Sequence, residues 1–150
     1  MAANARLFLD TSAVFSGLWS ETGGARALLQ LGEAGLVDLL VSHEVLAELE
    51  RTIRRKAPEL LGTLALILDR ARIGILPSPH AKAADTAEQW THHKGDALIV
   101  AAAMKASVDY LVTLDQAHLL DNASLQEHLP FPVGTPGSAL AWLRSRWPIA

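Results

Sequence analysis

The sequence predicts an α/β fold, a three-layer α/β/α sandwich around a central parallel sheet of four to five strands. Two observations carry this. Short apolar runs alternate along the chain with stretches of helical periodicity, the pattern of strands joined by crossover helices. The runs are also apolar at successive positions, as in Leu7-Phe8-Leu9, which marks strands buried on both faces. Right-handed crossovers then put helices on both sides of the sheet.

The first strand, "LFL" (7–9), is too short for a helix and too apolar for a surface loop, and it delivers Asp10 to its carboxyl end. Ser12 or the Gly23-Gly24 turn starts a helical stretch with Ala27, Leu28, Leu31 and Leu36 at helix-like spacing. "VDLLVS" (37–42) reads as the second strand. Ser42 then caps a helix whose buried stripe is Val45, Leu46, Leu49 and Ile53 and which Pro58 ends. A further helix, about 59–72, leads to the third strand, "IGILP" (73–77). Residues 78–95 are polar enough for loop plus an exposed helix, whereas "DALIVAAAMKA" (96–106) is apolar almost all round, as a helix buried inside the molecule must be. "DYLVTLD" (109–115) is the fourth strand, again ending on an aspartate. "FPVGTP" (131–136) is an edge strand, and the last helix runs from about Pro136 to Arg146. Without repeats, low-complexity tracts or a linker, residues 1–150 are expected to form one domain.

Composition bounds the function. The 150 residues contain no cysteine, which removes disulfides and thiolate zinc sites and fits a reducing compartment. A hydrophobic fraction of 50% and a mean hydropathy of +0.21 suit a packed globule. No basic leader precedes an uninterrupted apolar segment and no window has the length of a membrane span, so a soluble, cytoplasmic protein with no membrane partner is expected. The formal charge of −3 argues against a passive nucleic-acid coat but leaves room for an enzyme that meets a polyanion through bound metal.

Asp10 and Asp115 both fall at strand ends on the same sheet edge, and Asp96 falls at the amino end of the apolar helix beside them. Each has a plain explanation when taken alone. A strand-end aspartate serves as a cap or Asx turn, and a carboxylate in a first helical turn is favoured by free amides and the macrodipole. Together they converge on one cleft, where crowded carboxylates repel unless a cation sits among them. A fourth acid is expected from the helix after strand two, but phase leaves Glu48 on one flank of the apolar stripe, Glu50 on the other and Glu44 further round. Oxygen ligation without cysteine suits Mg²⁺ or Mn²⁺.

Four segments in order resemble the PIN domains: "LDTS" (9–12), "LAEL" (46–49), and the block "DALIVAAAMKASVDYLVTLD" (96–115), which joins the family's D-x-x-I/L-A-x-A helix to its strand ending T-x-D. The resemblance spans nearly the whole chain. It implies that Asp10, Glu48, Asp96 and Asp115 form a catalytic, metal-binding site, selecting Glu48 where phase could not. It also implies support from the hydroxyls of Thr11, Ser12 and Thr113. Serine at position 12 replaces the family's commoner asparagine. The family's members are mostly metal-dependent ribonucleases, many of them VapC-type toxins paired with an antitoxin protein, and they often dimerise. The resemblance therefore implies an RNA substrate, an antitoxin partner and a homodimer.

The corresponding chemistry is metal-assisted phosphodiester hydrolysis. "RTIRRK" (51–56) and Lys94 could carry phosphate contacts or simply a solvated face. His92 and His93 could form a partial metal pair or place one ring near Asp96, but adjacent histidines do not share a helix face, so they read first as surface residues. His118, three residues after Asp115, either approaches the site or packs locally, and reads first as local packing; Trp19, Trp90, Trp142 and Trp147 could stack on bases but read first as core or interface. A haloacid-dehalogenase-type phosphatase would need an aspartate at position 12, and a response-regulator receiver would need one ending the third strand. Neither a Walker P-loop nor G-x-G-x-x-G occurs. The remaining rival is a catalytically silent RNA-binding or protein-interaction module of the same fold.

Overall fold

β1 (Ala5–Leu9) is the central strand, and Leu7, Phe8 and Leu9 are buried because helices cover both its faces. The structure is a computed structural model that describes residues 3–147. With β2 (Val37–Ser42), β3 (Gly74–Leu76), β4 (Tyr110–Val112) and β5 (Val133–Gly134) it forms a five-stranded sheet in the order β3-β2-β1-β4-β5, every pairing parallel. This is the expected α/β/α architecture, at the upper end of the expected strand count.

The chain leaves β1 toward β2 on one side and leaves β4 toward β5 on the other. The order therefore reverses between β1 and β4, and loops diverge there to open a crevice at the carboxyl ends of the strands. Asp10 follows β1 directly. Asp115 lies three residues beyond β4.

Both candidate starts after β1 are used: α1 (Thr11–Trp19) and α2 (Gly24–Glu33) are separate helices. Leu36 is not on α2 as its spacing suggests. The helix ends at Glu33, Gly35 takes a left-handed φ of +74°, and Leu36 is left 52% exposed before β2. Ser42 caps α3 (His43–Lys56), its Oγ accepting from the Val45 amide at 3.1 Å. Val45, Leu49 and Ile53 are buried, with Leu46 at the edge of that stripe. After a 3₁₀ turn at Pro58–Leu60, α4 (Leu61–Arg70) leads to β3.

α5 (Ala81–Thr91) covers α6 (Lys94–Lys105) from outside, which is why α6 is apolar on nearly every side: Ile99, Ala102 and Ala103 pack into the main core, while Ala97, Val100 and Ala101 join Ala87 of α5 in a second cluster. That cluster is closed by Leu119 and Leu125 from a one-turn π-helical segment (Gln116–Leu120) and α7 (Ala123–His128), neither of which the periodicity announced. α8 (Pro136–Arg146) packs on α2, β4 and β5. Among the described residues no helix is long and apolar enough to cross a membrane.

Candidate metal centre

Asp10 directly follows β1 and caps α1, so two structural elements aim its carboxylate. Oδ1 accepts from the Thr11 amide at 2.7 Å and Oδ2 from the Thr113 hydroxyl at 2.8 Å. The residue is 6% exposed. Burial pushes its pKa up to about 6, although the hydrogen bonds from Thr113 and Thr11 oppose the rise, and Glu48 and Asp96 add repulsion.

Thr113 links two of the acids, because the hydroxyl that donates to Asp10 accepts from the Asp115 amide at 3.0 Å. This turn also corrects the expected extent of the fourth strand. Ladder pairing stops at Val112 with one further bond from the Thr113 amide to Gly134, so Asp115 is not a strand residue. It caps the π-helical turn instead, Oδ1 accepting from the His118 amide at 3.1 Å. Ser12 adds a second tie between the two strand ends, its Oγ accepting from the Leu114 amide at 3.0 Å.

Asp96 lies in the first turn of α6 and is 8% exposed. Its amide donates to His93 Nδ1 at 3.4 Å, a histidine cap on the helix. Its Oδ2 is buried without a hydrogen-bond partner among the described residues. Burial raises its pKa first, with Asp115 and Glu48 adding repulsion and His93 and His118 acting in the opposite sense.

The fourth acid comes from α3. Glu48 reaches the cleft and accepts from the Thr11 hydroxyl at 3.2 Å, whereas Glu50 is exposed on the other flank and lines no part of it. Glu44 turns to Ser78, whose hydroxyl donates to it at 3.0 Å, in an adjoining pocket that shares Glu48. Asp10, Glu48, Asp96 and Asp115 thus line one open cleft of about 340 Å³. Among the described residues no lysine or arginine pairs with any of them; the ion-pairing partners are histidines. Among the described residues one set of three or more donors, Asp96, Asp115 and His118, has atoms within 4.8 Å of one another, while Asp10 and Glu48 line the same cleft outside that set. The unpartnered buried Asp96 oxygen and the lack of a compensating lysine or arginine fit a divalent cation.

Two histidines border the site. His118 Nδ1 is within hydrogen-bond distance of Asp115 Oδ2, three residues back, at 3.2 Å and lies 3.9 Å from Asp96 Oδ2, so the residue both packs locally and approaches the acids. His93 is exposed, as a surface reading requires, yet it lines the cleft and its ring stacks 5.1 Å from that of His118. A cap position three residues before Asp96, and a position three residues after Asp115, are the spacings that bring them in. His92 stays outside, closing α5 in a left-handed conformation. No tryptophan lines the cleft: Trp142 packs on Tyr110, Trp90 stacks on His128 and Trp19 on Phe15, and Trp147 is exposed elsewhere.

Residues 6–117 match the profile of the PIN domain family. No curated protein matches the chain. Among solved structures, VapBC2 from Rickettsia felis, bound to a DNA fragment from its promoter, aligns with a TM-score of 0.63 and 18% identity over 86% of this chain and 98% of that one. PAE2754 from Pyrobaculum aerophilum gives 0.61 and 14% over 94% and 96%, and FitAB bound to an IR36 DNA fragment gives 0.59 and 19% over 87% and 94%. At these identities the likeness is one of fold.

Proposed function

The chain belongs to the PIN domain family, and from that membership we propose that it is a metal-dependent endoribonuclease acting at the four-carboxylate cleft. The observation that carries the reading is the unbalanced charge: four carboxylates from four elements share one cleft and are matched by no lysine or arginine among the described residues. Asp10, Glu48, Asp96 and Asp115 are the residues that would hold Mg²⁺ or Mn²⁺. Such an ion supplies Lewis acidity toward a phosphoryl oxygen and lowers the pKa of bound water.

The protein's own contribution is orientation and electrostatics. Thr113 and the Thr11 amide hold both oxygens of Asp10, which lines the cleft. The Thr11 hydroxyl holds Glu48 toward the same point. Ser12, tied to the Leu114 amide, keeps the Asp10 and Asp115 segments in register. Arg51 lines the pocket that continues from the cleft past Glu48, Gly95 and Ile99, where it can meet a phosphate that the carboxylates alone would repel.

Incubating the purified chain with varied RNAs and Mn²⁺ or Mg²⁺ tests this. Cleavage that disappears with EDTA and in Asp10→Asn is expected, and cleavage undiminished in that variant contradicts the assignment.

From the likeness to VapBC2 and FitAB we further propose a toxin role, with a cognate antitoxin, a homodimeric state and a cytoplasmic site of action. Expression alone should then arrest growth, and co-expression of the small protein encoded next to it should relieve the arrest. Unimpeded growth at a level where RNA is cleaved in vitro contradicts the toxin role and leaves the nuclease reading standing.

A further inference from the structure

We propose that His118 is a nitrogen ligand of the same ion, beside Asp96 and Asp115, and that it biases the site toward a first-row transition ion such as Mn²⁺ over Mg²⁺; the proposal rests on the metal-dependent reading above.

One donor atom from each of Asp96, Asp115 and His118 lies within 4.8 Å of the other two. His118 Nδ1 is within hydrogen-bond distance of Asp115 Oδ2, at 3.2 Å, a contact that a shared ion would replace, and lies 3.9 Å from Asp96 Oδ2. Donor atoms that share one six-coordinate ion sit about 3 Å apart, so a modest inward movement closes the set. The Asp96 oxygen facing this imidazole is the buried one with no hydrogen-bond partner among the described residues, on a side chain only 11% exposed.

His93 is nearer to that oxygen, at 3.2 Å, but its Nδ1 already accepts the Asp96 amide in capping α6. The stacked His93 ring thus works as a positioning residue, with its face against His118. The His118 backbone is anchored as well, since its amide donates to Asp115 Oδ1, and the imidazole is therefore delivered to the carboxylates by the turn itself.

Mg²⁺ keeps to oxygen donors and waters, whereas imidazole suits the later divalent ions. One nitrogen among carboxylates therefore changes the order of preference while leaving the site open to either ion.

Loading the metal-free full chain with Mn²⁺ and recording electron spin-echo envelope modulation tests the ligand directly, without an activity readout. A directly coordinated ¹⁴N signal in the wild type, lost in His118→Gln and kept in His93→Gln, is expected. A loss of about tenfold or more in Mn²⁺ affinity of His118→Gln, with Mg²⁺ affinity changed by less than about threefold, should accompany it. His118 is half-exposed, so the variant should retain the wild-type circular dichroism. Mn²⁺ bound without nitrogen coupling, or coupling that survives in His118→Gln, overturns the role of His118 and leaves the carboxylate site standing. No Mn²⁺ binding by folded protein overturns both.

Discussion

The Thr113 hydroxyl donates to Asp10 Oδ2 at 2.8 Å across 103 positions of sequence, joining the ends of β1 and β4. Both groups are buried, and the Thr113 hydroxyl oxygen itself accepts the Asp115 amide, so one hydroxyl sets the spacing of two acids. Thr113→Val keeps the shape and removes the hydroxyl. It leaves a buried carboxylate oxygen and an amide unpartnered, and should cost about 2 kcal/mol of stability in chemical denaturation. Mn²⁺ affinity, measured by titration calorimetry, should fall about 10- to 100-fold. Wild-type affinity in this variant would show that the link does not organise the site.

The raised pKa of Asp10 makes a prediction about pH with a definite sign. A carboxyl that titrates at about 6 when folded and 3.8 when unfolded holds its proton more tightly in the folded state. Its ionisation therefore lowers stability progressively as pH rises from 3.8 through 6, by on the order of 3 kcal/mol above that range. Metal-free Asp10→Asn should accordingly be more stable than wild type at pH 7.5 and should lose that advantage below pH 4. Urea unfolding in EDTA checks both points, and a less stable variant at pH 7.5 contradicts the electrostatic account.

Helical phase left three glutamates open, and the structure separates them by direction. Glu48 shares the cleft with the aspartates, while Glu50 points to solvent from the opposite flank. Glu48→Gln should reduce RNA cleavage by about a hundredfold or more, the scale of a lost group that stabilises transition-state charge. Glu50→Gln should stay within about twofold of wild type, and equal effects in the two variants would contradict the geometry.

Legibility in the sequence followed the strength of local signals. α3 could be read because Ser42 caps it and Val45, Leu49 and Ile53 repeat at helical spacing; the start of α8 could be read at Pro136, though the Thr135 cap before it reads as strand in the sequence. α6 betrayed its double burial through an unbroken apolar composition. The turn after β4 could not be read in this way. Nothing in "YLVTLD" distinguishes a strand continuing to Asp115 from one that stops at Val112, because the stop depends on the Thr113 side chain accepting the Asp115 amide. The π-helical turn and α7 are too short for periodicity and owe their burial to Leu119 and Leu125 filling the cluster under α5. The same limit left His93 and His118 undecided between a surface or local role and the cleft: each reaches the cleft through a local turn whose orientation only the packed fold determines. The convergence of the aspartates was inferable, since strand ends and a helix amino end meet at a switch point. The choice of Glu48 needed the family resemblance.

The claim beneath all of this is that carboxylates distant in sequence hold one divalent ion. Diffraction from crystals soaked in Mn²⁺, collected at a wavelength where manganese scatters anomalously, tests it most directly. The account predicts an anomalous peak within bonding distance of oxygens from at least Asp10, Asp96 and Asp115, absent in Asp10→Asn. A peak elsewhere on the surface, or none in the cleft at saturating Mn²⁺, would contradict it.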